Sequence, residues 1–99
     1  MKFLVFSNAR EGRDTEYNEW YERVHLPDML AVPGVRSGVR YRVHARDGEV
    51  PDHRYLAVYD LDGDSQKVLK EIAVRSRGAW QLTDSLDPAS VKMTLWEAI

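Results

Sequence analysis

His25 lies four residues after Tyr21 and eight after Tyr17, a spacing that sets all three side chains on one stripe of a helix. An imidazole beside phenol hydroxyls, partly withdrawn from water, suits general acid–base work such as removing a proton next to a carbonyl. Trp20 adds a further ring. Aromatics at helical spacing are also what a core requires, so Tyr17, Trp20 and Tyr21 read both as core and as the wall of a substrate pocket. Asn18 faces away from that stripe and is expected to bond to nearby chain. Farther on, Tyr41, Tyr55 and Tyr59 share a side with Val39, Val43 and Ala57 if their strands alternate without interruption. Should that side face the helices, their hydroxyls meet His25 across a cavity, and Ala57 between two tyrosines leaves room for one. Arg36, Arg40 and Arg42, with Arg54 beside them, form a basic ladder. It offers a carboxylate bidentate contacts, but its expected role is solvated or paired, which discourages edge-to-edge aggregation.

These groups need elements to position them. Residues 2–7 are a short aromatic and β-branched run, a strand, with Asn8 opening the loop that follows. Residues 14–30 switch to helical period, with Asp14 or Thr15 as cap and Pro27 closing the regular part. Val32-Pro33-Gly34 signals a type II turn. Residues 35–44 alternate as a second strand, 53–61 form a third, and 65–76 form a second helix burying Val68, Leu69, Ile72 and Ala73. Residues 79–90 read as irregular, with one helical turn near Trp80, and 91–98 as the last strand. The order βαββαβ with two right-handed crossovers gives a ferredoxin-like α+β domain. Its four-stranded antiparallel sheet carries both helices on one face.

That arrangement leaves a face uncovered. Leu4, Phe6, Leu56, Val58 and Trp96 would meet water, against roughly 1.5–3 kcal/mol for burying each large apolar side chain. The expectation is a homodimer joined through this sheet face; the alternative is that the loop 79–90 folds over it.

Composition narrows the function. The 99 residues are read as a single domain, and 43% hydrophobic with 30% charged excludes a disordered chain. A formal net charge of −2 argues against nucleic acid or an anionic membrane as partner. No cysteine is present, which excludes thiolate chemistry and is compatible with a cytoplasmic location. No apolar run is long enough for a membrane span. His25, His44 and His53 fall on three different elements with no i, i+4 pair, so no metal site is expected. No glycine-rich phosphate loop occurs, and no cofactor is expected.

The run Glu16-Tyr17-Asn18-Glu19-Trp20-Tyr21-Glu22-Arg23-Val24-His25-Leu26-Pro27, followed by Leu30-Ala31-Val32-Pro33-Gly34-Val35, resembles the EthD-like branch of the dimeric α/β-barrel superfamily. That branch carries a tryptophan-tyrosine pair, an H-x-P at the helix end and a P-G before strand 2. The resemblance implies a dimer with a pocket in each subunit between helices and sheet, and a functional histidine at His25. It also places Asn8 where monooxygenase and heme-degrading relatives carry an asparagine. Cyclases of the superfamily that use a histidine after the second helix differ here, since none follows His53. The leading expectation is a cofactor-independent enzyme acting on an aromatic or polyketide-like small molecule by cyclisation, dehydration or isomerisation. A monooxygenase or heme-degrading protein is second, and a non-catalytic ligand-binding or accessory dimer is the contrasting class.

Overall fold

The computed structural model describes residues 1–99. Strand β1 (Lys2–Ser7) leads into α1 (Asp14–Trp20), a π-helical turn (Tyr21–His25) and α2 (Leu26–Leu30); β2 (Val35–Arg42) and β3 (Tyr55–Leu61) follow, then α3 (Ser65–Gly78) and β4 (Lys92–Trp96). The sheet has the order β2-β3-β1-β4 and every pairing is antiparallel. This is the ferredoxin-like α+β architecture that the element order implies. No helix is long and apolar enough to cross a membrane.

The backbone stays in the right-handed helical region from α1 through α2, so the three helical stretches form one rod. Its middle is widened: the Leu26 N–H bonds to the Tyr21 carbonyl, five residues back. Pro27 does not close the helix. It stands at the start of α2 directly after the widened turn, the kind of local adjustment by which a continuous helix accommodates a residue that cannot donate. Neither Asp14 nor Thr15 caps the start. Arg13 holds the N-cap without a side-chain bond, while Asp14 is drawn to the sheet by Tyr55 and Arg54. The second helix is capped conventionally, with the Asp64 carboxylate accepting from the Gln66 and Lys67 N–H groups.

The turn before β2 forms as its residues demand. Val35 N–H bonds to the Val32 carbonyl, and Gly34 has φ +96°, a conformation open to glycine. A Cβ there would also stand 2.4 Å from Val68 Cγ2, which ties β2 closely to α3.

The central strands alternate cleanly. Phe3 and Ser7 on β1 and Tyr55, Ala57, Tyr59 and Leu61 on β3 are buried beneath the helices, while Leu4, Phe6, Leu56 and Val58 point the other way and are half-buried. Strand β2 does not keep the expected phase. A register shift between Val35 and Ser37 inserts one residue, so Gly38 and Arg40, opposite Tyr59 and Ala57, face the helices. Val39 and Tyr41 turn to the open face, where they are 48% and 52% exposed, as is Trp96 at 57% on the opposite edge strand. The basic ladder is dispersed accordingly: Arg36 lies near Asp62, Arg54 near Asp14, and Arg40 sits beneath the first helix. The loop after α3 does not cover the open face. Ala9 and Leu86 form a bridge, Arg13 pairs with Asp84, and the short turn in this loop is Pro88–Ser90 rather than one at Trp80.

Candidate functional site

A cavity of about 530 Å³ lies between the sheet and the helices. Phe3 and Val5 of β1, Tyr59 of β3 and Leu95 of β4 form its floor; α3 contributes Leu69 and Ile72. The first helix supplies Tyr17, Trp20, Tyr21, His25 and Met29, and the loop closes one side with Trp80, Leu82 and Leu86. The walls are mostly apolar, so each polar group among them stands out.

His25 occupies a cage of three rings. Its imidazole stacks on Trp20 at 4.7 Å and 12°, meets the Tyr21 ring edge-on at 4.8 Å and the Trp80 ring edge-on at 5.4 Å. Residues five apart on an α-helix are separated by about 140° around the axis, too far to stack. The π turn closes that angle, so the imidazole's position is a product of the widened helix. No protein group hydrogen-bonds to the His25 ring, and no buried side-chain nitrogen or oxygen lacks a partner. Its ring nitrogens therefore reach the cavity surface. Burial pulls its pKa down from 6.5 to about 4, with Asp28 acting upward and Arg40 downward, so the imidazole is neutral at neutral pH.

The hydroxyl groups are arranged in pairs. Tyr17 Oη bonds to Ser7 Oγ, and Tyr21 Oη lies 2.6 Å from Tyr59 Oη. Burial pushes all three phenols up, Tyr59 to about 12 and Tyr21 higher still, so all three stay protonated. Behind them, the Arg40 guanidinium lies 4.2 Å from the centroid of the Tyr21 ring. It donates to Glu22 Oε1 at 3.0 Å and Asn18 Oδ1 at 2.7 Å, and its side chain is only 13% exposed.

Of the residues singled out by sequence, His25, Tyr17, Trp20, Tyr21 and Tyr59 meet in the cavity. Tyr55 stands outside it; its hydroxyl donates to Asp14 Oδ2 at 2.5 Å and accepts from Asn18 Nδ2 at 3.2 Å, tying β3 to α1. Tyr41 is also outside, because the β2 bulge turns it from the helices; it borders a small cleft at the sheet edge with Arg42 and Glu22. Asn8 holds the loops: its Oδ1 accepts from the Arg54 N–H and its Nδ2 donates to the Asp52 carbonyl. Asn18 bonds its own helix at the Asp14 carbonyl, as expected, and also bridges to Arg40 and Tyr55. Sequence reasoning missed Ser7 and Trp80, and it set Arg40 on a basic edge ladder rather than beneath the first helix. Trp80 was signalled by being a large ring in a polar loop, and Arg40 by sharing its side of β2 with Gly38.

No three metal-ligating side chains converge. The cavity does not suit a heme either. No Lys or Arg lines it to meet the two carboxylates, and the one imidazole is hemmed by three rings.

No protein-family model matches the sequence, and no curated protein matches it. A solved structure, an ethyl tert-butyl ether D (EthD) family protein from Bacillus halodurans C-125, matches with a TM-score of 0.71 at 15% identity, covering 99% of this chain and 97% of that one. The fold is EthD-like. The EthD-like frame puts β1 and β3 at the centre of the sheet, and these strands carry Ser7 and Tyr59 beneath the rod that carries His25.

Proposed function

We propose that the chain is an acid–base catalyst, working without a cofactor on a small and largely apolar molecule that carries an activated carbonyl, of the aromatic or polyketide-like kind. The observation that carries this reading is a neutral imidazole with free ring nitrogens on the wall of an otherwise apolar cavity of about 530 Å³. A ligand seated against Trp20 and Trp80 presents its carbonyl-activated C–H to His25. The C–H bond breaks, the proton moves to the imidazole nitrogen, and the electron pair passes to the carbonyl oxygen as an enolate. Return of the proton from the imidazolium at another atom isomerises the molecule; given to a departing β-hydroxyl, it leaves with it as water and dehydrates the molecule; attack of the enolate carbon on a second carbonyl closes a ring, and the new alkoxide takes the proton. Burial of the base makes it weak, which favours substrates with acidic C–H bonds flanked by two carbonyls. Tyr17, Tyr21 and Tyr59 shape the site.

Two copies associate through the open sheet faces in this reading, supported by Leu4, Phe6, Leu56, Val58, Val39, Tyr41 and Trp96 on one side of the sheet with no helix over them, the His53 ring alone packing near Phe6 at 5.5 Å.

The test pairs binding with turnover. Tryptophan fluorescence, to which Trp20 and Trp80 contribute from the cavity wall, is followed in a Trp96→Phe background while aromatic lactones and polyketide mimics are added, and deuterium uptake at the activated carbon of the best ligand is read by NMR. His25→Gln is expected to slow exchange by roughly 10²–10⁴-fold in a folded protein. Saturable binding with no exchange, unchanged by the substitution, would leave a non-catalytic ligand-binding protein in its place.

A further inference from the structure

Two hydroxyls bonded to each other carry two protons but share one bond, so one proton needs another acceptor. For Tyr21 and Tyr59 the surroundings decide which. Tyr59 also lies on the cavity floor, but none of its surface is exposed, and Tyr21 Oη is the one polar group its hydroxyl touches. Its proton therefore points to Tyr21. Tyr21 retains 4% of its surface, borders the cavity and stands edge-on to His25. The Tyr21 proton is the one left over, and the cavity is where it can find an acceptor.

Arg40 bears on the same group from outside the cavity. Its guanidinium lies 4.2 Å from the Tyr21 ring centroid and is held there by Glu22 and Asn18. A cation against the ring draws electron density from the phenol and favours negative charge accumulating beyond its hydroxyl.

We propose that Tyr21 is the hydrogen-bond donor to the ligand's oxygen, oriented by Tyr59 and strengthened by Arg40, so that the cavity selects enolisable ketones and phenols over apolar molecules of the same shape. The inference rests on the acid–base reading above and deepens it: His25 takes the proton from carbon while the enolate oxygen accepts the Tyr21 hydrogen bond. Tyr21 is then a catalytic residue and Arg40 a positioning residue that acts through it.

The test uses 2-naphthol as a stand-in for an aromatic enolate and 2-methylnaphthalene as its apolar counterpart of similar shape. Ionisation of bound naphthol is read by absorbance across pH, and affinity by tryptophan fluorescence. The ratio of naphtholate to neutral naphthol affinity is expected to fall about tenfold in Tyr21→Phe and in Arg40→Met, and to recover in Arg40→Lys. Methylnaphthalene affinity should stay within about twofold in all of them. An unchanged ratio in Tyr21→Phe, with His25→Gln still altering binding, would overturn the donor role and leave the acid–base pocket standing. Failure of the unsubstituted protein to bind either ligand would overturn both. Should Tyr21→Phe not fold, Arg40→Met carries the same readout from outside the cavity.

Discussion

The neutrality of His25 is a property of one residue with a cost that stability measurements can see. Its folded pKa of about 4 lies below the ordinary 6.5, so between those values the unfolded chain binds a proton that the folded chain does not. The imidazole's contribution is fully present above pH 6.5 and is lost as pH falls through about 4. The expected loss is on the order of 3 kcal/mol. His25→Leu should remove that slope, and the difference between the two chemical-denaturation midpoints across pH 7 to 4 measures it. Asp28 and Arg40, the charged groups that act on the ring, oppose each other and leave burial in command. A difference that stays flat with pH would show the ring to be better hydrated than its cage implies. The sequence placed His25 on a stripe with Tyr21 and Tyr17 and suggested a desolvated imidazole. It did not suggest stacking on Trp20, because that depends on a widened turn that side-chain spacing does not encode.

At the scale of elements, legibility followed regularity. Strands β1 and β3 alternate without interruption, so Phe3, Tyr55 and Tyr59 could be assigned to a face by counting. Strand β2 could not, since one extra residue between Val35 and Ser37 moves Tyr41 out and Arg40 in. Gly38 is the fixed point of that arrangement. A Cβ there would stand 2.9 Å from Leu26 Cδ1 and from the Tyr59 ring, so Gly38→Ala must displace the first helix or the tyrosine. Its expected effect is a loss of about 1–3 kcal/mol in thermal or urea unfolding, with weakened ligand binding because Tyr59 moves. The cap of α3 is a simpler case. Asp64→Ala removes the acceptor for two helix N–H groups and should lower stability by about 1 kcal/mol while leaving binding unchanged.

For the whole molecule, the sheet divides the labour between its faces. The helix side holds the cavity; the open side holds Leu4, Phe6, Leu56, Val58, Val39, Tyr41 and Trp96. The apolar excess of both central strands was readable in sequence, and so was the second apolar face that the helices leave open. Which way the loop 79–90 would go was not, because contacts such as Arg13–Asp84 and Trp20 Nε1 to the Gln81 carbonyl join parts distant in the chain. With that loop committed to the cavity, Val58→Asp is expected to convert a dimer to a monomer, read as halved mass by light scattering at micromolar concentration. A monomeric mass for the unsubstituted chain would refute the face-to-face pairing. On β1 and β3, neighbours along the backbone answer to different masters: Phe3, Val5 and Tyr59 to whatever the cavity holds, Leu4, Phe6 and Val58 to whatever the open face meets. If the proposed pocket and pairing hold, changes in ligand choice and changes in self-association are interleaved on the same ribbon, one residue apart. A mutational scan along either strand should show the two phenotypes trading places at every step, like the two colours of a plied yarn.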